Sequence, residues 1–175
     1  MLHDKVKEMA KIAHSYGATI EGELGHVGDN EGAAESDPSS GNVERFFTDP
    51  TMALDFVEKT GVDALAIAVG NAHGAYKLPP KLDFARIREI ARTVKVPLVL
   101  HGGSGLTEAD FKRAIAEGIS KVNIFTDINV AAAQAQRQAL HKGGVGLTDL
   151  IPATVAAVEK ETLDKMRLFD SVEKA

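Results

Sequence analysis

At 175 residues, 44% hydrophobic and 26% charged, the chain has the make-up of a globular domain with one sizeable core, which excludes a disordered or fibrous polymer. A net charge of −5 leaves no basic stripe for a nucleic-acid partner. The absence of cysteine rules out disulfides and thiolate metal sites, so any transition metal has to be held by histidine and carboxylate, and it fits a cytoplasmic protein.

The opening stretch, MLHDKVKEMAKIAHSYG, places Val6, Met9, Ala10 and Ala13 on one stripe, which predicts a helix that Gly17 ends. It is charged and amphipathic, without the unbroken apolar run of a signal peptide or spanning helix, so no membrane partner is expected. In ATIEGELG, Ile20, Gly22 and Leu24 alternate with Thr19, Glu21 and Glu23, so a strand here carries both carboxylates on one face. That face is solvent in an open two-layer sheet or lumen in a closed barrel, and in the second case the carboxylates need a cation or hydrogen bonds. Residues 25 to about 43 are rich in Gly, Ser, Asp and Asn with no period and read as a long loop of the kind that is usually functional or disordered.

Thr48-Asp49-Pro50 supplies a cap and a first-turn proline for a helix with Ala53, Phe56 and Val57 inward. VDALAIAV is a second buried strand that runs into GNAHGAYK. A helix with Ile87, Ile90, Ala91 and Val94 on its stripe leads to VPLVLHGGSG, where Leu98, Val99 and Leu100 form a strand buried on both faces and His101 ends it on the face of Val99. The glycines that follow let backbone approach a ligand and Ser104 adds a hydroxyl just ahead of the next helix, so the turn is a candidate anion cradle, although GGSG alone is also a plain tight turn. That helix runs from Thr107 through Ile115, with Thr107 and Asp110 resembling a capping box. KVNIFTD is read as a fourth strand opposing Val122 and Ile124 to Asn123 and Phe125; an alanine-dense helix, a break at HKGGVG and a last helix from about 148 to 169 complete the chain.

A helix followed by four strand-helix units predicts an α/β fold with a parallel sheet, either doubly wound or closed as a barrel. Since a (β/α)8 barrel takes roughly 250 residues, this chain has room for half of one. We expect one domain over 1–175, with 25–46 as a mobile active-site loop and 148–175 as a C-terminal helix. The histidines at 73 and 101 each lie just beyond a strand end beside glycine, which suits metal ligation; the plain alternative for either is a buried structural histidine. His3, His14 and His141 are read as solvated, and His26 as a loop-surface residue.

Four segments in order, EGELG at 21–25, GNAHGAYK at 70–77, HGGSG at 101–105 and NIFTD at 123–127, resemble the metal-dependent class II ketose-bisphosphate aldolases that act on fructose or tagatose bisphosphate. The resemblance implies a TIM barrel of which this chain carries strands five to eight. It implies Zn2+ on His73 and His101, Glu23 at a second divalent position, with a monovalent cation as a further expected ion. Glu31 matches a mobile acid that exchanges the C1 proton of dihydroxyacetone phosphate. Gly74, Lys77, Gly102, Gly103, Ser104, Asn123, Ile124, Phe125 and Thr126 match segments that hold that phosphosugar, and Asp127 lies near the other end of a substrate. The family's third histidine and its neighbouring acid/base aspartate have no counterpart here, since His3 and Asp4 stand in reversed order in the opening helix. Ala131 offers no charge to a distal phosphate, which leans away from a plain fructose-bisphosphate enzyme. A phosphorylated sugar substrate and a homodimer or homotetramer follow from the resemblance. Two other functions stay open: a non-catalytic half-barrel that binds a partner, and another phosphosugar barrel enzyme that works without metal.

Overall fold

The structure, a computed structural model, describes residues 2–29, 46–73, 81–143 and 146–174, with backbone alone at residues 2, 28, 29, 72 and 73. In chain order the elements are α1 (Leu2–Ser15), β1 (Glu21–Leu24), β2 (Gly28–Asp29), α2 (Pro50–Thr60), β3 (Ala64–Ile67), β4 (Ala72–His73), α3 (Phe84–Thr93), β5 (Leu98–Leu100), α4 (Glu108–Glu117), β6 (Ile119–Val122), α5 (Thr126–His141) and α6 (Leu147–Leu168). Most of the loop expected over 25–46 lies outside the described residues. No described helix is long and apolar enough to cross a membrane. The chain forms two compact units, residues 1–123 and 124–175.

In the first unit β1, β3, β5 and β6 make a parallel sheet in the order β1-β3-β5-β6, the strand-helix alternation having implied crossovers rather than hairpins. One face is apolar. Leu65, Ile67, Leu98 and Leu100 are fully buried with Phe56 of α2, Ile87 and Ile90 of α3, and Phe111 and Ala114 of α4. Gly22 of β1 belongs to that face, and a Cβ there would lie 2.9 Å from Phe56 Cε1 and 3.0 Å from Val62 Cγ1. The aromatic ring therefore occupies the volume a side chain at 22 would need.

The expected caps are present. The Asp49 carboxylate accepts from the Thr51 and Met52 amides at 2.9 and 3.0 Å, with Pro50 opening α2. Thr107 and Asp110 form a reciprocal capping box at α4. Met9 departs from its expected inward place in α1 and is exposed, whereas Ala10 is buried. His14 is exposed, in keeping with its expected solvated place, and its Nε2 lies 2.9 Å from an Asp63 oxygen that also accepts from the Ile20 amide, tying the end of α1 to the entry of β1. The His3 ring stands edge-on to Phe56, and the His26 ring lies 5.6 Å from that of Phe46.

Two differences bear on the site. The fourth strand stops at Val122: the Asn123 amide completes the Leu100–Val122 pairing by donating to Leu100 O, the Asn123 carbonyl meets the Gly103 amide at a long 3.4 Å, and α5 begins at Thr126. Within the segment read as loop, Gly28 and Asp29 pair in parallel with Ala72 and His73, so His73 lies in a two-residue strand of its own. Over the strand ends, Thr48 is buried, donating its hydroxyl to Leu24 O at 2.5 Å and accepting from the Ala68 amide at 2.8 Å. In the second unit, α5 and α6 pack on each other, and the 2.7 Å pair between Asp127 at the start of α5 and Lys165 at the end of α6 makes them antiparallel.

Candidate functional site

The second face of the sheet follows from the register. Glu21 sits beside Ala64 and Glu23 beside Ala66, while Ala66 sits beside Val99 and Val99 beside Lys121. Alternation then brings Glu21, Glu23, His101, Lys121 and Asn123 to one face, with only alanine and valine between them. An irregularity between Leu98 and Val99, where Ser120 is the extra residue, sets Lys121 rather than Ser120 opposite Val99.

His101 follows β5 directly, and its side chain is 16% exposed. Its Nδ1 lies 2.8 Å from Glu23 Oε2 and its Nε2 lies 2.8 Å from Glu21 Oε1. Both contacts are hydrogen bonds only when both ring nitrogens carry protons; a ring with one proton satisfies one carboxylate. Lys121 Nζ donates to Glu21 Oε2 at 2.9 Å and to Asn123 Oδ1 at 2.7 Å. Burial pulls the Glu21 carboxyl upward, but the hydrogen bonds and charges of Lys121 and His101 together outweigh it and hold it below the usual carboxylate range. The face thus carries an ordered run of charge, Glu23, His101, Glu21, Lys121, that crosses from β1 to β6.

The backbone of His101 is fixed separately. The Asn71 side chain, buried beneath, donates to His101 O at 2.9 Å and to Ile67 O at 3.3 Å and accepts from the Val69 amide at 2.8 Å. Beyond His101, Gly102 adopts φ +62°, a conformation open to glycine, which turns the chain toward α4. Gly103 and Ser104 are buried, and the Gly103 amide makes a long 3.4 Å bond to Asn123 O, so it is not simply turned outward as an anion donor.

Of the expected site residues, the first unit holds Glu23, His101, Gly102, Gly103, Ser104 and Asn123. Ile124, Phe125, Thr126 and Asp127 belong to the second unit, where Phe125 is 74% exposed just before α5 and Asp127 pairs with Lys165. Glu31, Gly74, Lys77 and the side chain of His73 lie outside the described residues. Sequence reasoning gave Glu21 no role beyond a hydrogen-bonded lumen residue and passed over Asn71 and Lys121. The alternation of Lys121 with Asn123 on one strand face was the available signal.

The imidazole of His101 and the carboxylate of Glu23 beside it are nitrogen and oxygen donors of the kind that suits a borderline divalent cation such as zinc. His101 and Glu23 could hold one together. Among the described residues no three His, Cys, Asp or Glu side chains form a complete ligand group.

Residues 3–174 match the family described as "Fructose-bisphosphate aldolase class-II". The chain is 41% identical over 169 residues to the uncharacterized protein YdjI of Escherichia coli strain K12, an alignment that covers 97% of this chain and 58% of YdjI. The crystal structure of the YdjI aldolase from Escherichia coli K12 matches it with a TM-score of 0.82 at 36% identity, over 99% of this chain and 57% of that one. Fructose-bisphosphate aldolase from Campylobacter jejuni matches with a TM-score of 0.74 over 99% of this chain and 57% of that one, a likeness of fold alone at 21% identity. The chain therefore spans 58% or less of the length of these relatives. With four parallel strands, interleaved helices and a family match over nearly its whole length, the chain belongs to the class II fructose-bisphosphate aldolase family.

Proposed function

We propose that this chain supplies strands five to eight of a (β/α)8 barrel in a zinc-dependent aldolase. The enzyme cleaves a ketose 1,6-bisphosphate to dihydroxyacetone phosphate and glyceraldehyde 3-phosphate, and runs the condensation in reverse. The observation that carries the reading is His101, which follows β5 between two carboxylates, 2.8 Å from each, and opens directly into the Gly102–Ser104 turn ahead of α4. That juxtaposition suits a ligand with an oxygen for a cation and a phosphate at the mouth of the strands beside it.

In this reading His101 and His73 hold the zinc ion, and Glu23 serves a second divalent position. When bound, zinc supplies Lewis acidity toward the ketone oxygen of the substrate. The Gly102–Ser104 turn, Gly74 and Lys77 hold the phosphate of the dihydroxyacetone end and so fix the reacting carbons, which turns an encounter into a positioned reaction. Asn123, Ile124, Phe125 and Thr126 line the same half of the substrate, Asp127 attends its other end, and Glu31 moves the C1 proton of dihydroxyacetone phosphate. The protein acts in the cytoplasm as a homodimer or homotetramer, with a monovalent cation as a further ion. The 175-residue chain by itself contains no counterpart of the family's third histidine and acid/base aspartate, and is expected to bind phosphosugar without cleaving it.

The test is cleavage of fructose and tagatose 1,6-bisphosphates by the full-length protein that contains this chain, before and after exhaustive EDTA treatment and after Zn2+ is restored. Loss of cleavage with EDTA, recovery with zinc and loss in His101→Ala are expected. Cleavage that survives complete metal removal would remove the proposal.

A further inference from the structure

We infer that Glu21 is the positioning residue of His101: it accepts from Nε2–H, turns Nδ1 toward Glu23 and the cation, and is itself held by Lys121, which ties it to Asn123. The inference rests on the proposed reading of His101 as a metal-facing histidine and adds to it a residue whose role is orientation.

The geometry distinguishes the two carboxylates. Glu21 has both oxygens engaged, Oε1 by His101 at 2.8 Å and Oε2 by Lys121 at 2.9 Å, and its side chain is 28% exposed. Glu23 meets His101 through Oε2 at 2.8 Å and is 40% exposed. A carboxylate fixed at both oxygens is a poor ligand for a cation but a good stationary acceptor, and an acceptor at one ring nitrogen fixes which nitrogen presents its lone pair. Glu21 thus selects the Nε2–H form of the ring, and Nδ1 on the Glu23 side becomes the donor atom.

Strand order explains why a lysine is part of the arrangement. Glu21 is on β1 and His101 follows β5, with β3 between them, so no backbone ladder joins the two. Ala64 and Ala66 leave the space over β3 through which the glutamate reaches. Lys121 enters from β6 on the far side of β5 and closes the span. Its second bond, to Asn123 Oδ1 at 2.7 Å, connects the ring to the residue whose carbonyl accepts from the Gly103 amide. Histidine orientation and the glycine turn are therefore held by one hydrogen-bonded chain, Glu21, Lys121, Asn123.

The experiment uses the 175-residue chain labelled with 15N. It reads the His101 Nε2–H resonance in the metal-free protein and the affinity for Zn2+ alone by chelator competition. Wild type is expected to show a solvent-protected Nε2–H. Glu21→Ala is expected to lose that protection and to bind zinc about 10–100-fold more weakly, the usual effect of removing such a partner. Glu21→Gln, whose amide oxygen can still accept, should recover much of both, and Glu23→Gln should keep the protected proton. Lys121→Met carries the same test if Glu21→Ala does not fold by urea titration, and should also expose the Nε2–H to exchange. A protected Nε2–H and zinc affinity within twofold of wild type in Glu21→Ala, or in Lys121→Met in its place, overturn the inference. If His101→Ala binds zinc as tightly as wild type, the metal reading of His101 falls, while the proton readout still decides whether Glu21 orients the ring.

Discussion

Gly22 is the position where packing beneath the sheet and geometry above it meet, and Gly22→Ala should disturb both. The added Cβ would stand 2.9 Å from Phe56 Cε1 and 3.0 Å from Val62 Cγ1. Carbon atoms rest at about 3.5–4.0 Å, so ring, valine or strand has to retreat by roughly 0.5–1 Å. Phe56 and Val62 are both buried and have little room to yield. Overpacking of this kind costs about 1–3 kcal/mol, against which the lower chain entropy of alanine in a strand returns about 0.5–1 kcal/mol. A net loss of about 1–2 kcal/mol shifts the urea midpoint by roughly 0.5–1 M, since the slope for a small domain is about 1–3 kcal/mol/M. The flanking residues on the strand, Glu21 and Glu23, ride on the same backbone, so zinc affinity should fall along with stability. The assay is urea unfolding of wild type, Gly22→Ala, Phe56→Leu and the double variant. Leucine lacks the ring edge, so the double variant should recover part of the Gly22→Ala loss, a favourable coupling between the two sites. An alanine that costs nothing, or costs as much in the Phe56→Leu background as with the ring in place, refutes the clash as the cause.

Thr48→Val should strand the Ala68 amide and the Leu24 carbonyl in a buried place and cost about 1–3 kcal/mol, whereas Thr48→Ser should keep most of the stability; urea midpoints of the two variants decide it. The Asp63 carboxyl is held below its usual range by the His14 hydrogen bond and then by the Ile20 amide. A carboxyl whose folded value lies below its unfolded one contributes stability above about pH 4 and loses it as pH falls through the folded value. Asp63→Asn should therefore flatten the acid side of the stability profile, and thermal unfolding between pH 3 and 6 that keeps the wild-type slope would contradict the assignment.

The parts of this fold that were legible in the sequence are those that local chemistry sets. Asp49 before Pro50, and Thr107 three residues ahead of Asp110, mark helix starts because the groups that satisfy the first amides are close in sequence. The run Leu98–Leu100 after Pro97 marks β5 because a strand buried on both faces needs aliphatic residues at every position. What depends on contacts distant in sequence was not legible. β6 ends at Val122, where the last ladder bond to Leu100 gives way to a long 3.4 Å contact with Gly103, residues about 20 positions away in the chain, and no period at 123–127 records that. The pairing of Gly28 and Asp29 with Ala72 and His73 falls in a polar stretch, where no hydrophobic alternation could announce it.

The same division runs through the site. Alternation placed Glu21 and Glu23 together on one face, yet it left open what that face meets, and the register of three other strands sets His101 and Lys121 beside them. His101 is restrained at its carbonyl by Asn71 and at both ring nitrogens by carboxylates, so its position is fixed from below the strand end and from two sides of the face. A catalytic or ligating group works only where its supporting contacts hold it within a fraction of an ångström of the productive geometry. On the proposed reading, the contacts that do this for His101 are Asn71, Glu21 and, through Glu21, Lys121, three residues that local sequence pattern treats as an ordinary turn amide and two ordinary surface charges. Their weight comes from the parallel order of the strands, which brings residues 21, 71, 101 and 121, distant in the chain, into one set of hydrogen bonds around His101.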